Sequence, residues 1–219
     1  MATVSIPRTR FSTLADLLVH LGGIPARRVR LRPTPGTATE KDVIRIHARE
    51  KRLCELIDGV LVEKPIGYFE SYLAGVIIQL IRNFLDKHSL GIVAGESGML
   101  RLTKGLVRIP DVSFVSWKRL PGRHIPREPI PDLVPDLAIE VLSRSNTRRE
   151  MARKLDDYFA AGVHVVWFVD PRTSTVQFFS SPAESVTLRV GDRLSGGELL
   201  PGFSVPVKKF FELPKGRSS

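Results

Sequence analysis

Residues 133–169 of the 219-residue chain read LVPDLAIEVLSRSNTRREMARKLDDYFAAGVHVVWFV. The run at 133–142 is apolar on both faces of a strand, which is typical of a central strand in a sheet. We expect Ser145 or Asn146 to cap a helix. The apolar stripe of this helix consists of Met151, Leu155, Tyr158 and Phe159. Residues 163–169 predict a second buried strand. A strand, a helix and a strand with short joins form a βαβ unit, so we expect parallel strands and an α/β fold.

Other elements extend outward from this unit. Asp58-Gly59 between two apolar runs predicts a hairpin over residues 52–62. Helical spacing of apolar residues predicts a long helix at 68–88. The remaining predicted elements are a short helix capped by Ser12, a helix at 39–49, strands at 91–102 and 106–117, and outer strands at 177–179 and 186–190.

Composition restricts the class of protein. The net charge is +10, and residues 1–38 hold six arginines and one acidic residue. This balance favours a polyanionic partner such as nucleic acid, though only weakly for residues 39–219, and the alternative is a charged surface that keeps the protein in solution. The single cysteine, Cys54, fits a reducing compartment, and we expect a cytoplasmic protein with no membrane span. We divide the chain into a basic arm with a short helix at 1–38, a domain at 39–213 and a disordered tail at 214–219.

Glu140 is the most unusual residue of the predicted core. It interrupts a strand whose two faces are otherwise apolar, and a lone ionised carboxylate is too costly to bury without a partner. Glu140 therefore needs a cation, a proton or an arginine. The alternative is that it lies at an exposed strand end or in a simple arginine pair.

Asp111 and Lys154 are the other two candidates. Asp111 follows Pro110 at the start of a β-rich run, where ladders end and side chains change direction, although a turn aspartate is the simpler interpretation. Lys154 shares a flank with Met151 on the crossover helix, whereas Asp157 is expected to point outward. A lysine there can reach the carboxyl end of the preceding strand, or it can lie along the edge of the stripe with its amine in water.

Two strand carboxylates and a lysine suit phosphodiester hydrolysis assisted by a metal ion. Mg²⁺ prefers oxygen ligands, and one or two carboxylates suffice because it keeps several waters. A bound ion polarises the phosphate and lowers the pKa of a bound water. A lysine stabilises developing charge or orients that water.

Four segments together resemble the Uma-type family of putative restriction endonucleases, within the PD-(D/E)XK nuclease superfamily. The resemblance covers about residues 39–212, and this family is widespread in bacteria. The matching residues are 55–62 (ELIDGVLV), 109–115 (IPDVSFV), 135–143 (PDLAIEVLS), and Lys154 through Tyr158 to Gly162-Val163.

The resemblance implies a restriction-endonuclease-like α/β fold with a mixed central sheet flanked by helices. It implies a DNA endonuclease dependent on Mg²⁺ or Mn²⁺, with Asp111 and Glu140 as metal ligands and Lys154 as the catalytic lysine. Glu70 falls where the family often has histidine, and it is either an accessory ligand or a favourable acid in a first helical turn. The superfamily lysine two residues after the strand glutamate is Leu142 here, so Lys154 would replace it from the helix.

Two other functions remain open at this point. A non-catalytic nucleic-acid-binding or assembly module could keep the fold without the chemistry. A two-carboxylate hydrolase such as a glycosidase is a third hypothesis. By analogy with related nucleases we expect double-stranded DNA as the partner and a homodimer as the acting form.

Overall fold

A computed structural model describes residues 11–65 and 67–213. The helices are α1 (Leu14–His20), α2 (Glu40–Glu50), α3 (Tyr68–Leu85), α4 (Arg148–Ala160) and α5 (Lys208–Phe211). The strands are β1 (Cys54–Ile57), β2 (Val60–Glu63), β3 (Gly91–Gly95), β4 (Leu100–Thr103), β5 (Leu106–Arg108), β6 (Val112–Ser116), β7 (Leu137–Val141), β8 (Val165–Asp170), β9 (Thr175–Phe179), β10 (Ser185–Leu188), β11 (Arg193–Ser195) and β12 (Ser204–Pro206). The predicted tail at 214–219 lies outside the described residues.

The described strands form a mixed six-stranded sheet in the order β10-β9-β8-β7-β6-β3, a four-stranded sheet in the order β2-β1-β5-β4, and the pair β11-β12. β7 and β8 are parallel, which confirms the predicted βαβ unit. β6 and β3 continue the large sheet with antiparallel pairing. The architecture is the mixed α/β arrangement that the sequence predicts.

The two faces of β7 pack against different layers. Leu137, Ile139 and Val141 belong to the apolar core that contains the buried face of α3. Ala138 belongs instead to the core under α4. Since side chains alternate along a strand, Glu140 shares the α4 face with Ala138.

The hairpin prediction is confirmed at its turn. Asp58 and Gly59 both have positive φ, at 49° and 73°. Such a pair suits the two-residue turn that matches the twist of a hairpin. The turn sets the pairing of Glu55 with Val62 in β1 and β2.

Several predicted boundaries are wrong, for local reasons. Thr147, not Ser145 or Asn146, is the N-cap of α4, because Thr147 and Glu150 form a reciprocal capping box. Thr13 similarly replaces Ser12 as the cap of α1. The predicted strand at 106–117 is divided between β5 and β6. This break follows from Pro110, which lacks an N–H for the ladder.

Residues of the N-terminal segment pack against the rest of the described protein. Leu17 and Leu21 join an apolar cluster with Val60 and Val62 of β2. Arg28 forms an ion pair with Glu150 at 2.7 Å, and both side chains are only 6% exposed. The start of α4 is therefore fixed from this side, although the division of the chain at residue 38 stays a prediction.

Candidate active site

Asp111 and Glu140 lie at the same end of adjacent antiparallel strands. Val112 pairs with Ile139, so Asp111 and Glu140 come next in this register. Asp111 Oδ2 accepts a hydrogen bond of 2.7 Å from the backbone N–H of Val141, the residue after Glu140. Both carboxylates line one narrow cleft. The antiparallel neighbour β6 thus brings together two acids that are distant in sequence.

Glu140 is buried, with 4% of its surface exposed. Lys154 Nζ donates to both of its carboxylate oxygens at 2.9 Å. The hydroxyl of Tyr158 donates to Glu140 Oε1 at 2.5 Å. Lys154 and Tyr158 lie one turn apart on α4, so this one helix supplies both partners. Glu140 has the cation that its position requires, and the cation is a lysine rather than an arginine.

A second buried carboxylate, Glu55, stands behind this pair. Glu55 Oε1 lies 3.2 Å from Lys154 Nζ, and Glu55 Oε2 lies 2.8 Å from an Arg108 guanidinium nitrogen. The backbone N–H of Ile109 also donates to Glu55 at 3.2 Å. Arg108 Nε continues the chain of contacts to Asp157 at 3.1 Å. The expectation that Asp157 points outward is therefore wrong, because Arg108 binds it.

Opposing charges set the protonation of this buried group. Burial favours a neutral Glu55, but the charges of Lys154 and Arg108 and the N–H of Ile109 outweigh it and lower the pKa of Glu55 to about 2. Burial similarly works against the charged form of Lys154, yet Glu140 and Glu55 raise the pKa of Lys154. Lys154 is therefore a permanently charged partner shared by two carboxylates.

The pKa of Glu140 shifts in the other direction. Burial raises it, Lys154 opposes the rise, and the negative charges of Asp111 and Glu55 add to it. Burial and the charge of Glu140 also raise the pKa of Tyr158, which keeps its hydroxyl proton as a donor. The pKa of Glu140 rises, rather than falls, because burial and the added negative charges of Asp111 and Glu55 outweigh the effect of Lys154.

Asp111 has a different lysine. Lys64 Nζ lies 2.9 Å from Asp111 Oδ1, with the Lys64 side chain 5% and the Asp111 side chain 13% exposed. Lys64 also donates to the backbone carbonyl of Glu96 at 3.2 Å. Lys64 follows β2 directly, so the hairpin positions it at the cleft. Asp111 is thus an ion-pair partner and a link between strands, rather than a simple turn aspartate.

Glu70 lines the same cleft from the first turn of α3. Its carboxylate fills the space that a side chain on Gly67 would need, since a Cβ there would lie 1.9 Å from Glu70 Oε2. Glycine at position 67 therefore lets Glu70 lie back over the start of the helix.

The oxygen chemistry of this cleft suits a hard divalent cation. Asp111 and Glu140 supply two carboxylates, and Mg²⁺ is often held by one or two carboxylates with substrate phosphates and water. Within residues 11–65 and 67–213, no group of three or more His, Cys, Asp or Glu side chains could hold a metal ion. The residues fit an ion that takes the rest of its ligands from water and substrate, in competition with the two lysines.

Sequence reasoning missed Lys64, Glu55 and Arg108 as members of this cluster. The argument that singled out Glu140, a charge within an apolar strand, applies equally to Glu55 and Arg108. For Lys64 the signal was weaker, because a lysine directly after a strand is ordinarily a solvated residue. Helical spacing places Tyr158 in the apolar stripe and gives no signal for its hydroxyl, which donates to the Glu140 carboxylate.

The fold and this cleft define a class: an α/β protein with two carboxylates at the ends of neighbouring strands of a mixed sheet, each paired with a lysine from another element. The chain belongs to the Uma2 family, described as putative restriction endonuclease, whose family model matches residues 41–208. A crystal structure of a putative nuclease belonging to DUF820 from Anabaena variabilis ATCC 29413 is similar in fold. Its TM-score is 0.64 at 20% identity, over 74% of this chain and 90% of that chain. No curated protein matches the chain.

Among the described helices, none is both long enough and apolar enough to cross a bilayer.

Proposed function

We propose that this protein is a metal-dependent endonuclease that hydrolyses phosphodiester bonds of double-stranded DNA. The observation that carries the proposal is the placement of Asp111 and Glu140 at one cleft, at the ends of neighbouring strands, with a lysine on each. Family membership supports nuclease chemistry, and the basic net charge of +10 suits a polyanionic substrate.

Asp111 and Glu140 would hold a Mg²⁺ or Mn²⁺ ion, and Glu70 would be an accessory carboxylate. When bound, the ion would supply Lewis-acid polarisation of the phosphate and a water of lowered pKa. The backbone N–H of Val141 orients the Asp111 carboxylate. Lys154 and Tyr158 fix both oxygens of Glu140 and keep its charge balanced.

The experiment compares cleavage of supercoiled plasmid by the wild type and two variants, Asp111→Asn and Glu140→Ala. Cleavage should require Mg²⁺ or Mn²⁺ and fall at least about 10³-fold in each variant, because each loses a metal ligand. Asp156→Asn is the matched control, since Asp156 is an exposed carboxylate on α4. Circular dichroism establishes whether each variant folds. If Glu140→Ala does not fold, Asp111→Asn still tests the proposal, because asparagine keeps the shape of aspartate and an oxygen that accepts the Val141 N–H. Full activity in a folded Asp111→Asn variant would refute the proposal.

Calorimetry tests the ion separately from the cleavage. Mg²⁺ and Mn²⁺ are titrated into the wild type, Glu140→Ala and Asp156→Asn. Binding that is lost only in Glu140→Ala supports a metal site at this carboxylate. The same samples, run by size-exclusion chromatography with light scattering, test the homodimer that we propose as the acting form.

One observation favours a second candidate, a non-catalytic nucleic-acid-binding module. Lys154 and Tyr158 engage both carboxylate oxygens of the buried Glu140, and Lys64 neutralises Asp111. Such closed ion pairs are stable without a metal. This candidate predicts salt-sensitive DNA binding with no cleavage at any Mg²⁺ or Mn²⁺ concentration.

A further inference from the structure

The two lysines of the cleft differ in how many of their N–H groups are occupied. An ammonium has three N–H donors and no acceptor. Lys154 Nζ has three carboxylate oxygens around it, two from Glu140 at 2.9 Å and one from Glu55 at 3.2 Å. Lys154 is also only 2% exposed. Three carboxylate oxygens therefore surround its ammonium, and two of them accept hydrogen bonds from it.

Lys64 has fewer partners. Its Nζ contacts Asp111 Oδ1 at 2.9 Å and the carbonyl oxygen of Glu96 at 3.2 Å. Among the described residues no third acceptor contacts it, so one N–H remains for a group that enters the cleft. The contact with Glu96 is to a neutral carbonyl, which competes weakly with an anion.

Lys64 lies where its free N–H can reach a ligand in the cleft. Lys64, Asp111, Glu140 and Lys154 all line the same cleft. The Lys64 side chain is 5% exposed, so its ammonium is held at the wall rather than in bulk water. A phosphate that reaches Asp111 meets this ammonium in a desolvated setting, where a charge-assisted hydrogen bond is strong.

We infer that Lys64, rather than Lys154, donates the N–H that binds the scissile phosphate, while Lys154 is a positioning residue that holds Glu140. The inference rests on the proposed function for its substrate, a phosphodiester. It assigns the phosphate contact to a residue directly after β2, at a position that the superfamily pattern does not single out. On this inference Lys154 does not take over the role of the superfamily lysine that Leu142 lacks, because carboxylate oxygens of the protein already surround its ammonium.

The kinetic test uses Lys64→Met, Lys64→Arg and the exposed-turn control Lys104→Met. Single-turnover plasmid cleavage should fall about 10²-fold or more in Lys64→Met, because a preorganised donor to the developing charge is lost. Lys64→Arg should recover part of the rate, and Lys104→Met should match the wild type. DNA affinity, measured by fluorescence anisotropy, should change less than the rate. Wild-type rates in a folded Lys64→Met variant would overturn the inference.

A second measurement does not depend on cleavage. Protein labelled with ¹³C at the lysine ε-carbon is titrated with inorganic phosphate and then with a short DNA duplex, without metal. The signal missing from Lys64→Arg identifies Lys64. This signal should move with both ligands, and a Lys64 signal that stays fixed with both would overturn the inference. A wild type that cleaves nothing while its Lys64 signal moves would refute the proposed function and leave the phosphate site standing.

Discussion

Glu140 and Asp111 lie at the same end of adjacent strands, yet their surroundings differ. On the Glu140 side, Lys154 and Tyr158 hold the carboxylate, and Glu55 and Arg108 support Lys154 from behind. These groups form a buried network in which each charge has a partner. On the Asp111 side, one lysine and one backbone N–H hold the carboxylate, whose side chain is 13% exposed.

The difference separates two tasks within one cleft. A buried charge network is costly to break by removing one member, because the remaining charge has no solvent to replace its partner. The Glu140 side should therefore dominate the stability of the site. On the Asp111 side, Lys64 has an N–H without an acceptor among the described residues. This side should therefore dominate contact with incoming ligands. Substitutions on the two sides test whether these tasks are truly divided.

The largest effect on stability is expected for Lys154→Met. This change removes the ammonium that binds Glu140 and one partner of Glu55, and breaking a buried pair costs roughly 3–5 kcal/mol. The matched variant Lys64→Met should cost less, about 2 kcal/mol, because Asp111 retains the Val141 N–H and is more exposed than Glu140. Urea denaturation of both variants gives the free energies of unfolding. Equal losses would mean that the two sides do not differ.

The next effect is expected for Glu55→Gln, which keeps the shape but removes a charge. Arg108 retains Asp157 and Lys154 retains Glu140, so we expect a loss of about 2–3 kcal/mol at neutral pH. The pKa of Glu55 is lowered to about 2 from an ordinary value of 4.5. Its contribution to stability is therefore present above pH 4.5 and is lost as the pH falls toward 2.

The pH dependence gives this variant its own check. The difference in unfolding free energy between wild type and Glu55→Gln should be constant from pH 7 to about pH 5 and then shrink toward pH 2. Glu198→Gln, which changes an exposed carboxylate, is the control for general acid effects. A difference that grows with acidification would contradict the assignment of Glu55 as the anion of this network.

A smaller effect is expected for Tyr158→Phe. The hydroxyl that donates to Glu140 Oε1 at 2.5 Å is removed, while the ring still packs under the sheet. A hydrogen bond to a charged group contributes about 1.5–3 kcal/mol, and we expect a loss near the lower figure because Lys154 still binds both oxygens. Thermal unfolding measures this loss. If Tyr158→Phe were as harmful as Lys154→Met, the lysine would not be the main partner of Glu140.

The sequence predicts the central part of this fold because its signals are local. The apolar runs on either side of the α4 segment, and the Asp-Gly turn, each determine structure through nearby residues. Helix caps and strand breaks were placed less well. The N-cap of α4 is Thr147 rather than Ser145 or Asn146, because the Thr147 hydroxyl accepts from the Glu150 backbone N–H, and residue type alone does not determine that geometry.

The candidate site was predictable only in part, for a similar reason. Glu140 was found because a lone acid in an apolar strand requires a partner. Helical spacing indicates Lys154, because it gives the face of a helix, but it does not give the number of carboxylates that the lysine contacts. The competition between Glu140 and Glu55 for one ammonium depends on a contact between β1 and α4, and no local pattern encodes a contact over about one hundred residues.

The smallest effect is expected for Ser71→Ala on the Asp111 side. Ser71 Oγ donates to Glu96 Oε1 at 3.1 Å, and Glu96 in turn supplies a carbonyl to Lys64. Ser71 and Glu96 are both partly exposed, so water can replace the lost bond, and we expect a loss below about 1 kcal/mol. Urea denaturation measures it, with Ser185→Ala at the outer strand as control. A loss above about 2 kcal/mol would mean that Lys64 is held by a network as rigid as that around Lys154, and the division of tasks between the two carboxylates would fail.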